Sequence, residues 1–257
     1  MIDVEINRPE NWLDDLPGFY EALYHDLKTP MTVLFNYVKI MESDKELSDA
    51  SRARLAAIKR ATLRIAKLVQ DANDRARMNH GLITPEYKKI DGIKLVSRIC
   101  EDANAALLNA KLVFSSSRKT CELYLDEKML ERILLNILAN AKDFSEEGGL
   151  IECETRADDM RFMISVRDYG KGAKGAKEVF ARHSGRTKRG LRSGLGLYIT
   201  REFINLMDGE ILFMNANPGV RIVMSLPIIE REEAPKIERA NDFFYNNVVS
   251  MELTELI

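Results

Sequence analysis

LPGFYEALYHDLKTPMTVLFNYVKIM, residues 16–41, sets apolar side chains at Leu16, Tyr20, Leu23, Leu27, Pro30, Leu34, Val38 and Met41, in steps of three and four. That spacing predicts an amphipathic helix with one narrow, heptad-like seam. After a polar break at 43–49 the pattern resumes at Leu55, Ile58, Thr62, Ile65, Val69, Ala72 and Ala76. A second helix of the same kind is expected there, each about 40 Å long at the rise of an α-helix. The short link between them predicts an antiparallel hairpin. One hairpin cannot bury both seams, so two copies are expected to close a four-helix bundle, which makes the chain a homodimer.

Working outward, Gly81–Pro85 ends the second helix. Beyond it, helix and strand signals mix. Ile93–Leu108 and the apolar-faced Glu127–Phe144 read as helices, and Leu112–Phe114 and Glu122–Leu125 as short strands. Leu150–Thr155 and Arg161–Arg167 alternate as a hairpin around Ala157-Asp158-Asp159. Gly170–Gly196 carries no clear period, Leu197–Met207 reads as a helix, and Glu210–Met214 with Val220–Leu226 as a last hairpin. Without a strict alternation of strand and helix, this predicts an α+β sandwich, a sheet with helices on one side. The expected division is an N-terminal segment at 1–15, a helical hairpin at 16–81, the sandwich at 82–229 and a tail at 230–257. The tail is charged and then apolar, with Phe243, Phe244, Tyr245, Val248 and Val249, a patch expected to pack on the sandwich or on a partner.

Composition excludes several classes. The 257 residues carry 38 Lys+Arg against 40 Asp+Glu, a net charge of -2, so nothing global points to nucleic acid. The longest uncharged stretches fall well short of the roughly 18 residues that span a bilayer. The opening MIDVEIN is acidic and lacks the layout of a secretion signal. Cys100, Cys121 and Cys153 are too few and too scattered for a disulfide framework, which predicts buried, reduced thiols in a cytoplasmic chain.

Four short motifs carry chemistry. In His25-Asp26-Leu27-Lys28-Thr29-Pro30, the histidine lies off the Leu23/Leu27 seam and should face solvent. Asp26 can hold one ring nitrogen protonated and leave the other nucleophilic. Thr29, four residues on, shares the face of His25, and Pro30 removes a helix hydrogen bond beside it. On its own such a pair is usually a solvated helix face. Asn136 and Asn140 put two amides on one face of an apolar helix. They would suit magnesium with phosphate oxygens, or equally a hydrogen bond inside the core. Asp168-Tyr169-Gly170-Lys171-Gly172 closes a strand: its carboxylate can accept from an adenine amino group, and its glycines allow close approach to a ligand. Gly194-Leu195-Gly196-Leu197 opens a helix whose first amides form a ready anion site. Between the last two motifs, Lys171–Arg192 carries eight basic residues and one acid, Glu178, read as a phosphate-binding lid rather than a nucleic-acid patch.

Taken in order, HDLKTP, N-x-x-x-N-A, D-x-G-x-G and G-L-G-L resemble the H, N, G1 and G2 boxes of the sensor histidine kinases of two-component systems. The resemblance runs over residues 16–229, with Phe180 at the place of the F box. It implies a dimerisation and histidine-phosphotransfer hairpin followed by a GHKL (Bergerat-fold) ATP-binding domain. It implies ATP and Mg2+, and a response regulator as partner. His25 would be the phosphoacceptor, Asp26 its acid/base partner and Thr29 a residue of phospho-regulator phosphatase activity. Asn140 would hold the magnesium with Asn136 assisting, Asp168 would bind adenine, and Gly170, Gly172, Gly194, Leu195 and Gly196 would shape the nucleotide site. The chain departs from the family at Asp143, where a basic residue is usual, and at Pro218-Gly219-Val220, where Gly-Thr is frequent. Two rival readings stand beside this one. A phosphotransfer protein with a degenerate ATP domain sits poorly with intact glycine boxes, and a GHKL ATPase outside signalling has no use for HDLKTP.

Overall fold

The computed structural model describes residues 16–44, 46–106, 110–146, 148–172 and 195–228. The N-terminal segment, Phe180, Gly194, the basic stretch beyond Gly172 and the tail at 230–257 lie outside them. Two long helices come first, α1 (Leu16–Glu42) and α2 (Asp49–Asn79). Helix α2 begins where the Ser48 side chain accepts from the Ser51 amide at 3.2 Å, a cap of the kind that contributes about 1 kcal/mol. It ends before Gly81, whose φ of 66° is the left-handed turn that glycine adopts without strain. The pair packs as an antiparallel hairpin, with Lys59 Nζ meeting Glu42 at 2.8 Å across it. Among the described residues, no helix is long and apolar enough to cross a membrane.

The apolar residues of the hairpin divide into two faces. Met31, Phe35 and Val38 of α1 and Leu55, Leu63 and Ala66 of α2 are buried within the chain. Leu23, Leu34, Met41, Ile58 and Ile65 are exposed, Leu34 at 51%, Ile58 at 47% and Ile65 at 49%. The single seam expected in α1 therefore resolves into an inner row and an outer one, because Met31 and Phe35 rather than Pro30 and Leu34 point at α2.

The second unit holds β1 (Lys88–Asp91), α3 (Gly92–Ala106), β2 (Lys111–Ser116), β3 (Glu122–Leu125), α4 (Glu127–Phe144), β4 (Leu150–Ala157), β5 (Arg161–Asp168), α5 (Gly196–Leu206), β6 (Glu210–Asn215) and β7 (Val220–Pro227). The main sheet has the order β2-β4-β5-β7-β6, with β2 and β4 parallel and the other neighbours antiparallel. Burial alternates along β4, β5 and β7. Ile151, Cys153, Phe162, Ile164, Val166, Ile222, Met224 and Leu226 thus form one inner face under α3, α4 and α5. Strand β1 pairs with β3 in a separate two-stranded ribbon. It escapes sequence reading because Lys-Lys-Ile-Asp offers a single apolar residue. All three cysteines are buried and free.

Helix α4 is the centre of the sandwich. Arg132 to Ala139 are all buried, and so is Ala141, which leaves Asn140 half-exposed among them. Its N-cap, Asp126, accepts from the amides of Lys128 and Met129 at 3.0 Å each, and through its other oxygen from Glu86 at 2.7 Å. A helix buried on every side must find partners for each polar group it carries. Arg132 and Asn136 therefore dictate much of what surrounds α4.

Candidate active site

Helix α1 carries the first motif and runs unbroken through Pro30. The His25 and Asp26 side chains are 79% and 82% exposed, with Nδ1 and Oδ1 3.7 Å apart. The imidazole is thus open to an incoming group, with a carboxylate at its other edge. Thr29 is exposed one turn on. The hydroxyl that bonds back to the helix belongs to Thr32, which donates to the Lys28 carbonyl at 2.8 Å.

Asp168 ends β5 and is buried. Its Oδ1 accepts from the Gly170 amide at 2.9 Å and the Val220 amide at 3.3 Å. Burial raises its pKa above the ordinary carboxylate range, and the two amides oppose that rise. The turn before β7 is built to reach this carboxylate. A Cβ on Gly219, which sits at φ 87°, would overlap the Asp168 carbonyl. At the departure Pro218-Gly219-Val220, Gly219 thus packs its backbone on Asp168 and Val220 donates its amide to the carboxylate. The glycines of the third motif also answer to the protein's own backbone. Gly170 has no room for a Cβ because the Phe144 carbonyl at the end of α4 lies against it, and Gly172 needs its positive φ of 72°.

Asn136 lies at a crossing of three helices. Its Oδ1 accepts from Lys67 Nζ of α2 at 3.0 Å, and its Nδ2 donates to the Gly196 carbonyl at 3.4 Å. A Cβ on Gly196 would come within 2.9 Å of Asn136 Oδ1, so this glycine lets α5 begin against the amide. Helix α5 starts after Leu195, whose side chain makes no capping hydrogen bond. Asn140 follows one turn along α4. Beyond it Lys142 is half-buried, its amine held below the ordinary lysine range by burial against the opposing pull of Asp143.

One turn before Asn136, Arg132 crosses to the hairpin. Its Nη2 meets Asp71 at 2.7 Å, its Nη1 meets Asp74, and its guanidinium lies 5.8 Å from the Phe203 ring of α5. The arginine side chain is 6% exposed and that of Asp71 0%. Burial also raises the pKa of Asp74, with the Arg132 charge working against it. None of Lys67, Asp71, Asp74 and Arg132 stood out in the sequence as a site residue. The polar run Lys67, Gln70, Asp71, Asn73 and Asp74 lies largely on the side of α2 away from the expected Ile65/Val69/Ala72/Ala76 seam, a side that reads as solvated, yet Gln70, Asp71, Asn73 and Asp74 are buried.

An exposed histidine on a helical hairpin, followed by a sandwich whose strand-end carboxylate and paired amides lie about a buried central helix, defines a class: a phosphoacceptor hairpin joined to a GHKL-type domain. Residues 19–81 match the His Kinase A (phospho-acceptor) domain, and residues 125–230 match the histidine kinase-, DNA gyrase B- and HSP90-like ATPase family. The chain thus carries, in order, the two domains that make up a histidine kinase. It is 27% identical over 232 residues to sensor histidine kinase TmoS of Ectopseudomonas mendocina, covering 84% of this chain and 23% of TmoS. Among solved structures it resembles full-length ShkA in complex with AMPPNP, with a TM-score of 0.66 and 24% identity over 82% of this chain and 46% of ShkA. It also resembles ThkA in complex with the response regulator protein TrrA, with a TM-score of 0.55 and 16% identity over 84% of this chain and 63% of that one. The chain thus spans about a quarter of TmoS and about half of ShkA.

Proposed function

We infer that this chain binds ATP in the sandwich, moves the γ-phosphoryl group to His25, and passes it to an aspartate of a response regulator. The observation that carries this reading is the pairing, in one chain, of an open His25-Asp26 on a hairpin with a buried Asp168 at a strand end. In the first step a ring nitrogen of His25 attacks the γ-phosphorus as the bond to the bridging oxygen breaks and ADP leaves. Asp26 orients the imidazole and stabilises the positive charge it gains. Asp168 selects the adenine by accepting from its amino group. Gly170, Gly172, Gly194, Leu195 and Gly196 shape the walls and the anion-binding end of the site.

Magnesium fits the donor set. Neutral amide oxygens suit a hard cation, and the described residues hold no group of three or more His, Cys, Asp or Glu able to enclose a metal. Such a cation would complete its shell with phosphate oxygens and water, as Mg2+ does. Asn140 would hold it with Asn136 assisting, and it would supply charge neutralisation at the phosphates.

The outer row of Leu23, Leu34, Met41, Ile58 and Ile65 supports a homodimer through the hairpin, within limits of 16–81, with 82–229 as the catalytic domain. Thr29, exposed a turn beyond His25, suits a second activity, positioning water for hydrolysis of the phospho-regulator. Incubation with γ-labelled ATP followed by acid treatment tests the central claim. Label that is lost in acid and absent from His25→Gln supports it. Acid-stable label, or none on a chain that binds ATP, refutes it.

A further inference from the structure

Asp143 stands where the resemblance sets a basic residue beside the triphosphate. The missing cation comes from the other unit of the chain. Lys67 of α2 reaches across the boundary and donates to Asn136 Oδ1 at 3.0 Å. That amide lies against the start of α5, where the Leu195 side chain makes no capping hydrogen bond. Lysine, amide and helix start thus converge on the place where the nucleotide reading sets the polyphosphate. A neutral amide oxygen is a modest partner for an ammonium, and a phosphate oxygen is a stronger one.

Arg132 makes the crossing durable. Because Asp71 and Asp74 take both of its terminal nitrogens, it anchors α4 to α2 and leaves Lys67, one turn away from Asp71, held over Asn136. Register along the hairpin gives this position a meaning. Lys59 meets Glu42, and counting 17 residues from each brings His25 level with Ala76. Lys67 then lies about 14 Å from His25 along the hairpin axis, at the rise of an α-helix. The docked sandwich is therefore presented at the half of the hairpin that holds the phosphoacceptor.

The geometry points to Lys67 as a hairpin-borne ligand of the triphosphate, so that the nucleotide site is completed by a residue from outside the catalytic domain. When ATP enters, the ammonium leaves the amide oxygen of Asn136 for a phosphate oxygen and frees that amide for the nucleotide's cation. This inference rests on the ATP-binding reading above.

Calorimetric titration of the full 257-residue chain with Mg-ATP and, separately, with adenosine tests it. Lys67→Ala should weaken Mg-ATP about tenfold, the loss of one charge-assisted contact, and leave adenosine within about twofold. Lys67→Arg should recover most of the ATP affinity. Unchanged or tighter Mg-ATP binding in Lys67→Ala would overturn the proposal, the tighter result showing that Lys67 guards the site instead. An equal loss for adenosine would also overturn it, by making Lys67 a structural prop. A wild-type chain that binds neither ligand would instead defeat the ATP-binding reading itself.

Discussion

Replacing Arg132 with Met keeps most of the side-chain volume and removes the charge that joins α4 to α2. Two carboxylates would remain in a place built around that guanidinium. Asp71 is wholly buried, and Asp74 keeps a more distant attraction to Arg77. A pair of unit charges about 4 Å apart interacts by roughly 4 kcal/mol at an effective dielectric of about 20. Breaking a buried pair by removing one partner costs about 3–5 kcal/mol where it has been measured. The buried Met31, Phe35, Leu63 and Ala66 of the hairpin are continuous with the apolar core of the sandwich, but α1 pairs with α2 and the sheet with its own helices, so the molecule has a cheaper response than unfolding. It can open the contact and let both aspartates meet water. The loss is therefore capped by the free energy of docking. We expect scanning calorimetry to show a less stable protein whose melting splits into two transitions, one for each unit. Adding Asp71→Asn and Asp74→Asn to Arg132→Met should recover most of the loss. A single transition at or above the wild-type midpoint in Arg132→Met alone would refute the argument, since it would mean the pair is not the desolvated anchor described.

The same network has a pH signature. Burial raises the pKa of Asp74 in the folded state above 3.8, its ordinary value. The folded form then binds a proton more readily than the unfolded form, so this group's contribution is fully present below pH 3.8 and is lost as pH rises through the raised pKa. Asp74→Asn, which imitates the protonated acid, should match wild type at low pH and be at least as stable near neutrality. A large destabilisation at pH 7 that shrinks in acid would reverse the sign and refute this reading.

Three further outcomes follow from the site and the hairpin. Asp168→Asn should lower ATP affinity by about tenfold or more, the range for losing a hydrogen bond to a buried polar group, and calorimetry showing unchanged affinity would remove Asp168 from the adenine site. Ile58→Asp with Ile65→Asp should leave the hairpin folded but convert a dimer to monomers, since unpaired charge on a buried seam is costly. Light scattering that finds wild type already monomeric at micromolar concentration would dismiss the bundle. Thr29→Ala should spare most autophosphorylation while slowing dephosphorylation of the cognate regulator, and an equal loss of both would make the threonine structural.

The sequence speaks clearly wherever a single element's periodicity carries the meaning. Both long helices, α4 and the strands of the main sheet stand where apolar spacing and turn residues set them. The four boxes were legible because their order is informative even when each is weak. Local reading failed where one element answers another. Arg132 sits mid-helix among leucines and isoleucines, and nothing in its neighbours announces two aspartates that are 58 and 61 residues earlier. The division of the α1 seam into two rows was hidden for the same reason, because Met31 and Leu34 are equally apolar and only the position of α2 tells them apart. Nothing in D-x-G-x-G tells that Gly170 also lies against the carbonyl of Phe144. Glycine announces a close approach without saying to what.

Asp126 fastens two things with one side chain: the first turn of α4 and the strand of chain that has just left the hairpin at Glu86. Asn136 and Asn140 lie 10 and 14 residues further along the same helix, roughly 15 and 21 Å away at the rise of an α-helix. The same helix is pinned again to α2 at Arg132 and Asn136, so a movement of α2 reaches α4 at two places, through the connecting segment and through these side chains. The linker is therefore one of two couplings, and the cap of α4 is where it engages.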